Sequence, residues 1–404
     1  MKYYIKNLII RFLPLFIITG VISLTNLLAI VLGDYGSYTT RQVTFDGGGY
    51  TMTTAEPAYV ILAIFAPLLI LSTIAPLFAN SYRYKLKSVD TFYQVKEGEK
   101  TIRAINSIVF ITMLLAIYTA SFTLVYFILL IKLSILNGQS FIFEDLNVTR
   151  YFYMYNFGFY LLAYFFIVII VILNYFISSY LVTRSNNLFN SILTLIAGHV
   201  ALIMVFVTVC YYPNVFLSRL GASSYLGDQW IFGIHSPSPI SLFIYICFAY
   251  TPLIDTCPIE KSAYMYTLSG TFQITIFIIS IITFAAVSAY CTYRFFSENT
   301  MSGEYAGKPN GRSKMQEFIF HLAFTSVGIW IGPLFFLTYY AFLFGMFITI
   351  LSVLATFLAL YYVLHSVLHR NFRINGKVIL SMLPTLIIVL NSILLSLIIA
   401  NLNY

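Results

Sequence analysis

The chain has 404 residues, of which 60 % are hydrophobic and only 9 % are charged. Soluble domains carry about 25 % charged residues, so this chain has too few charges to cover a water-facing surface. With a mean hydropathy of +0.88, the composition excludes a disordered chain and a large soluble catalytic domain, and it predicts a multi-pass membrane protein. We assign the net charge of +8 to the orientation of helices in a bilayer and expect no nucleic-acid partner.

A run of about 20 apolar residues is long enough to cross the hydrocarbon core of a bilayer as a helix. The predicted spans, in chain order, are Leu8–Leu32, Tyr59–Ala79, Ile105–Leu136, Phe157–Val182, Leu188–Tyr211, Leu268–Tyr293, the double-length run Phe318–Tyr362 and Val378–Ala400. We interpret the double-length run as a hairpin of two spans, because Gly332-Pro333 and Tyr339-Tyr340 offer places to turn. The prediction is therefore an all-α membrane protein with about nine transmembrane helices. A further apolar run, Ile240–Ile254, is short and fits a re-entrant or interfacial segment.

The distribution of basic residues predicts the orientation of these spans. If the N-terminus is cytoplasmic, 17 of the 22 Lys and Arg residues fall on the inner side, which is the bias that membrane proteins show. Nine spans then place the C-terminus outside. If the hairpin were one long bent helix, the last basic cluster would move to the outer side.

The inner segment 80–104 contains a short amphipathic pattern. Leu86, Val89 and Tyr93 recur at helical spacing with Phe92 beside them, and Gly98 marks a break before the third span. Such a helix is either an interfacial anchor on the inner membrane surface or a docking segment for a cytoplasmic partner.

Polar residues inside spans are the usual markers of a transport pathway. Asn174 and His199 are the main candidates, and no Asp or Glu lies near the middle of a predicted span. The lack of intramembrane acids argues against ion-coupled transport. For His199, a hydrogen bond to a neighbouring helix is the preferred explanation.

Two sequence motifs that are associated with catalysis are present only in incomplete form. Gly303–Pro309 resembles a phosphate-binding loop but has only three residues between its glycines and a proline after Lys308. His365 and His369 have the spacing of a zinc pair, but Ser366 stands where the general base would be, and a basic amphipathic helix end explains them better. We therefore expect no catalytic residues, no metal and no cofactor in this chain.

Two stretches of the sequence resemble a known family. Residues 82–93 read YRYKLKSVDTFY, and residues 293–294 and 303–309 read YR and GEYAGKP. They are similar to the two cytoplasmic motifs of bacterial ABC-transporter permeases of the type 2 exporter class, especially the acetoin-utilisation-type and related permeases of Gram-positive bacteria. The matching residues are Ser88, Val89, Asp90, Phe92 and Tyr93 in the first motif, and Tyr293, Arg294, Glu304, Ala306, Gly307 and Lys308 in the second. Residues 95–98 depart from the Leu-Pro-Ile turn of the family. A weaker match is the basic, aromatic stretch 365–373.

The resemblance implies a six-span permease core over residues 1–293, with the inner loop 80–104 and the outer loop 213–267. A cytoplasmic linker, 294–317, and three appended spans, 318–404, would follow. It also implies an exporter in the cell membrane that works with a separate ABC ATPase subunit and a second permease copy or paralogue. The segment from Leu86 to Tyr93 would transmit the motion of the ATPase. The apolar, aromatic walls favour an amphipathic substrate such as a peptide or a lipid-like compound.

Two other classes of function remain open at this point. A membrane scaffold or sensor would recruit cytoplasmic proteins without moving a solute. An intramembrane enzyme would need a clustered acid–base or metal set, which the sequence does not offer. An ATPase gene beside this one would favour the transporter over the scaffold.

Overall fold

The structure is a computed structural model. It describes residues 2–32, 38–45, 48–55, 57–81, 98–136, 140–143, 148–151, 157–185, 187–219, 271–297, 314–340, 346–369 and 376–402. Most of the inner loop, the outer segment 220–270 and most of the linker 294–317 lie outside these ranges, and with them the predicted helix Leu86–Tyr93 and the run Ile240–Ile254.

Long helices dominate the described ranges. They are α1 Lys2–Leu32, α2 Pro57–Ala79, α3 Gly98–Leu136, α4 Phe157–Val182, α5 Leu188–Arg219, α6 Thr271–Ser297, α7 Lys314–Tyr340, α8 Met346–His369 and α9 Gly376–Leu402. Each predicted span coincides with one of them. The double-length run is divided between α7 and α8, which pack against each other as a hairpin would.

A small antiparallel sheet joins two of the connections between helices. Its strands are β1 Tyr38–Phe45 and β2 Gly48–Ala55, after α1, and β3 Ser140–Phe143 and β4 Val148–Tyr151, after α3. The order is β2-β1-β4-β3, with Tyr38 opposite both Ala55 and Tyr151. The predominantly helical architecture is confirmed, but this sheet was not predicted. Thr, which favours strands, is frequent in β1 and β2, and each strand also contains a Tyr.

Three described segments are long and apolar enough to cross a membrane: Tyr3–Thr25, Lys100–Ile128 and Tyr164–Val182. Shorter apolar stretches occur in α2, α5, α8 and α9. Large apolar side chains are exposed along these helices, for example Ile17 and Ile18 of α1 and Ile131 of α3. A lipid environment accounts for helices that are apolar on their exposed faces as well as on their buried ones. The chain therefore has the helices of a membrane protein.

The first group of helices, α1 to α4 with α6, encloses a core of apolar and aromatic side chains. Phe16 of α1 contacts Phe110 of α3, with 5.5 Å between ring centroids, and Phe110 stacks on Tyr175 of α4 at 4.2 Å. Two turns further along α3, Tyr118 stacks on Tyr164 of α4, with 5.0 Å between ring centroids. We call these helices the aromatic bundle.

The second group consists of α5 and α7 to α9. Helix α5 packs extensively against α7 and α9, and α7 packs against α8. The α4–α5 contact joins this group, which we call the histidine bundle, to the aromatic bundle. In the packing of helices, α5 thus belongs with the three C-terminal helices, although the predicted division at residue 293 groups it with the core.

Candidate functional site

The predicted coupling residues fall mostly outside the described ranges. This applies to Leu86, Ser88, Val89, Asp90, Phe92 and Tyr93, and to Glu304, Ala306, Gly307 and Lys308. The helix ends from which both segments depart are described, however. These are the end of α2, the start of α3 and the end of α6.

A hydrogen-bond network fixes both ends of the inner loop. Tyr4 of α1 donates its hydroxyl proton to Asn106 Oδ1 of α3 at 2.6 Å, and Asn106 Nδ2 donates to the carbonyl of Ala79 in α2 at 3.3 Å. Close by, Arg11 of α1 donates to the hydroxyl of Ser81. The end of α2 and the start of α3 are therefore held together before and after segment 82–97.

The end of α6 meets the start of α3 through a buried charge. Arg103, in the second turn of α3, is 1 % exposed, and its Nη1 donates to the backbone carbonyl of Phe295 in α6. Its guanidinium carbon lies 5.4 Å from the centroid of the Phe295 ring. The start of α3, which follows segment 82–97, and the end of α6, which precedes segment 298–313, are thus in direct contact. Arg103 and Phe295, which make this contact, are 192 positions apart in the sequence.

The described part of the second motif is Tyr293 and Arg294, which lie near the C-terminal end of α6. The Tyr293 side chain is 70 % exposed. Arg294 Nε donates to the hydroxyl of Tyr290 at 3.3 Å. Tyr290 in turn packs edge-on against Tyr180 of α4. The guanidinium carbon of Arg184 lies 4.3 Å from the centroid of the Tyr180 ring. The Tyr290 and Tyr180 rings therefore pack against each other between Arg294 and Arg184 near the C-terminal ends of α6 and α4, and the Tyr293 side chain is exposed.

Asn174, a candidate pathway residue, is fully buried between helices. Its Nδ2 donates to Ser72 Oγ at 2.7 Å and to Thr73 Oγ1 at 2.9 Å, both in α2. The two hydroxyls donate in turn to the carbonyl of Leu69. The geometry is that of an interhelical clamp between α2 and α4.

His199 occupies the joint between the two bundles. Its Nε2 shares a hydrogen bond of 3.1 Å with Ser178 Oγ of α4. At the preceding residue, a Cβ on Gly198 would lie 2.5 Å from Leu181 Cδ1, so α4 and α5 approach closely here. The hydrogen bond to a neighbouring helix that we preferred for His199 is present.

A column of aromatic and imidazole rings lies between α7 and α8. His321 of α7 stacks on Tyr361 of α8 with 4.0 Å between centroids, His365 lies 5.9 Å from His321, and His369 lies 4.3 Å from His365. At the open end, His369 Nε2 is 3.6 Å from Glu317 Oε2. In the part of the chain that the structure describes, no three His, Cys, Asp or Glu side chains are grouped as metal ligands. The His365 and His369 pair belongs to a packing column.

Sequence reasoning overlooked His321 as a buried polar residue. The signal was its spacing: Glu317, His321 and Thr325 recur every four residues on α7, opposite Tyr361, His365 and His369 on α8. Gln316 extends this polar interior, because its Nε2 donates to Thr194 Oγ1 of α5 at 2.9 Å. Similarly, Tyr361 shares a hydrogen bond of 3.0 Å with Ser381 of α9.

An open groove of about 700 Å³ runs along the middle of α3. It is lined by Leu115, Ala116, Thr119, Ala120, Thr123 and Leu124. The hydroxyl of Thr119 shares a hydrogen bond with the Tyr164 hydroxyl, and Thr123 donates to the carbonyl of Thr119. The groove therefore presents small, mainly apolar surfaces without a charged side chain.

Comparison with known proteins returned no match: no protein-family model, no curated protein and no solved structure resembles this chain closely enough to be identified with it.

Proposed function

We propose that this chain is the membrane-spanning permease subunit of an ATP-driven ABC exporter of the bacterial cell membrane. It crosses the membrane nine times, with a cytoplasmic N-terminus and an outer C-terminus. It works with a separate ATPase subunit and with a second permease copy or paralogue. Hydrolysis of ATP takes place on the ATPase, and this chain is not itself an enzyme.

The contact between the inner ends of α3 and α6 is the observation that carries this proposal. Two segments far apart in the sequence resemble the cytoplasmic motifs of the same permease family. Segment 82–97 leads into α3 and segment 298–313 follows α6, and Arg103 joins these two helices through the carbonyl of Phe295. A single cytoplasmic partner can therefore engage both segments at one corner of the molecule.

The character of the membrane-facing surfaces supports an amphipathic substrate. The α3 groove offers threonine hydroxyls and apolar walls. The buried Asn174 and the half-buried His199 are engaged in contacts between helices. A substrate that brings its own apolar surface, such as a peptide or a lipid-like compound, suits these walls better than a small ion.

The proposal is tested by co-purification with the ATPase encoded beside this gene. Phe92 and Tyr93 are the largest apolar side chains of the inner segment, so Phe92→Ala combined with Tyr93→Ala removes its anchor. Loss of an aromatic anchor at the centre of an interface costs about 2 kcal/mol or more. We expect the affinity for the ATPase to fall roughly 30-fold, since 1.4 kcal/mol corresponds to a factor of ten.

Tyr3→Ala is the matched control, because Tyr3 is also an aromatic residue at the inner end and is 85 % exposed. It should leave capture of the ATPase unchanged. If the double variant still captures the ATPase and exports at the wild-type rate, segment 86–93 is an interfacial anchor. Stoichiometric binding of ATP by the isolated chain would contradict the permease proposal, and recruitment of cytoplasmic proteins without export would favour the scaffold.

The orientation is tested by labelling single cysteines in intact cells with a membrane-impermeant thiol reagent. Cysteines at Ser88 and Ser302 should be protected and one at Ser223 should react, because 17 of 22 basic residues favour the cytoplasm for the first two segments. Reaction at Ser88 or Ser302 would reverse the topology.

A further inference from the structure

Arg103 is the largest charged side chain that the described core encloses, and its position is unusual. It belongs to the group of fully buried side chains, together with Phe110 and Tyr175 of the aromatic bundle. Charged side chains are costly inside a membrane protein and are rarely kept there without a role. An apolar side chain of similar volume often packs as stably as a buried charge. Packing alone therefore does not explain an arginine here.

The acceptor of Arg103 explains why a positive charge is suitable. Phe295 lies in the last turn of α6, where backbone carbonyls have no partner within the helix. The end of a helix also carries a partial negative charge, which a cation stabilises. Arg103 Nη1 donates to the Phe295 carbonyl while the guanidinium lies over the Phe295 ring. Arg103 thus caps α6 from another helix.

The capped turn is itself firmly held. Phe295 is buried, and its ring lies 6.5 Å from that of Phe176 in α4 and 5.0 Å from that of Phe296. On the other side, Asn106, one turn after Arg103, is bound to α1 and α2. The directional hydrogen bond from Arg103 to the Phe295 carbonyl therefore connects two well-packed helix ends.

We propose that Arg103 is a positioning residue that makes the inner ends of α3 and α6 move as one body. A displacement of segment 82–97 by the ATPase would then be transmitted to segment 298–313 without passing through the membrane core. This inference rests on the proposed function, which it deepens by naming the joint between the two docking segments. The charge and the fork shape of the guanidinium determine the register of the two helix ends, which an apolar contact would leave free to slide.

The test compares Arg103→Met, which keeps the length and removes the charge, with Arg103→Lys, which keeps the charge. Arg11→Met is the matched control, because Arg11 also joins two helices at the inner end but is exposed.

Spin labels are placed on cysteines at Thr101 of α3 and Ser297 of α6, both exposed positions next to the joint. Cys210, Cys247 and Cys257 are replaced by serine, and the buried Cys291 is retained. This parent must take up no label.

Two quantities are measured with the ATPase bound, without nucleotide and with a non-hydrolysable ATP analogue. They are the width of the distance distribution between the labels and the amount of substrate exported per ATP hydrolysed. The wild type and Arg11→Met should show one narrow distribution in both states. In Arg103→Met the distribution should broaden and export per ATP should fall about tenfold, a typical size for coupling between linked sites. Capture of the ATPase should be unchanged, and Arg103→Lys should recover part of the coupling.

A narrow distribution and wild-type export per ATP in Arg103→Met would overturn the inference. If Arg103→Met does not fold, Arg103→Gln replaces it: broadening and uncoupling in this variant support the joint, and wild-type behaviour overturns it. If the wild-type chain neither captures an ATPase nor exports, the permease proposal fails. The distance distributions then decide by themselves whether Arg103 holds the two helix ends together.

Discussion

The aromatic bundle and the histidine bundle are assembled from the same kind of long apolar helix but are held together differently. In the aromatic bundle, ring stacks such as Phe110 on Tyr175 join α1, α3 and α4. In the histidine bundle, the ring stack is made of imidazoles and a tyrosine, and hydrogen bonds connect α7 with α5 and α8 with α9.

The difference shows two solutions to one physical problem. Helices in a lipid environment gain little hydrophobic energy from association, so packing contacts and interhelical hydrogen bonds must hold them together. Both bundles contain buried hydrogen bonds between helices, such as that of Asn174 in the aromatic bundle and that of Gln316 in the histidine bundle. The stacked rings differ: they are phenylalanine and tyrosine rings in the aromatic bundle and include imidazoles in the histidine bundle. In both bundles the loss of a stacked ring should destabilise the packing. At His321 the shape of the ring should matter more than its nitrogen atoms, because the buried Nδ1 has no hydrogen-bond partner among the described residues. The following variants test this comparison.

The largest expected effect is at His321, which is 3 % exposed. His321→Ala removes the ring that stacks on Tyr361, and we expect a loss of about 3 kcal/mol, as for other buried rings cut to alanine. His321→Phe keeps the stack and eliminates a buried Nδ1 that has no hydrogen-bond partner among the described residues. It should therefore change the stability by less than about 1 kcal/mol.

Unfolding in mixed micelles, followed by circular dichroism against denaturing detergent, measures both changes. If His321→Phe is as damaging as His321→Ala, the imidazole nitrogens carry a role that stacking does not explain.

A smaller effect is expected at a close contact between α7 and α8. A Cβ on Gly328 would lie 1.9 Å from Leu360 Cδ1, so a larger residue must displace Leu360. Gly328→Val should destabilise the hairpin by about 2 kcal/mol, within the usual range for overpacking. Gly376→Ala at the start of α9 meets nothing within 4 Å and should cost nothing. The same unfolding assay compares the pair, and equal stability of the two variants would contradict the close contact.

The smallest effect is expected at Asn174. Asn174→Leu removes two interhelical hydrogen bonds, each of which is worth roughly 0.6 kcal/mol in a membrane protein. The hydroxyls of Ser72 and Thr73 keep their bonds to Leu69, so no donor is left unpaired. The net loss of stability should be about 1 kcal/mol.

Export rate at matched expression separates packing from transport at Asn174. Unchanged export assigns the residue to packing, whereas loss of export from a stable variant would make it part of the pathway.

The positions of the helices were predictable because a continuous apolar run is a local signal. Pro57–Ala79 and Phe157–Val182 coincide with their predicted spans almost to the residue. The sheet was harder to predict, because β1 and β4 come from distant connections and their pairing depends on contacts across the chain. The sequence did carry the signal of the first hairpin: β-branched and aromatic residues flank the pair Asp46-Gly47, which is typical of two-residue turns.

Composition and the length of apolar runs were enough to predict a helical membrane protein and the positions of its long helices, because these signals depend only on neighbouring residues. Three features could be seen only in the folded chain: Arg103 contacts Phe295, His321 stacks in the column with His365 and His369, and α5 packs with the C-terminal helices. A local sequence pattern does not determine which faces of long, nearly uniformly apolar helices pack against each other. It depends on the few stacks and polar contacts that form only when all the helices are in place.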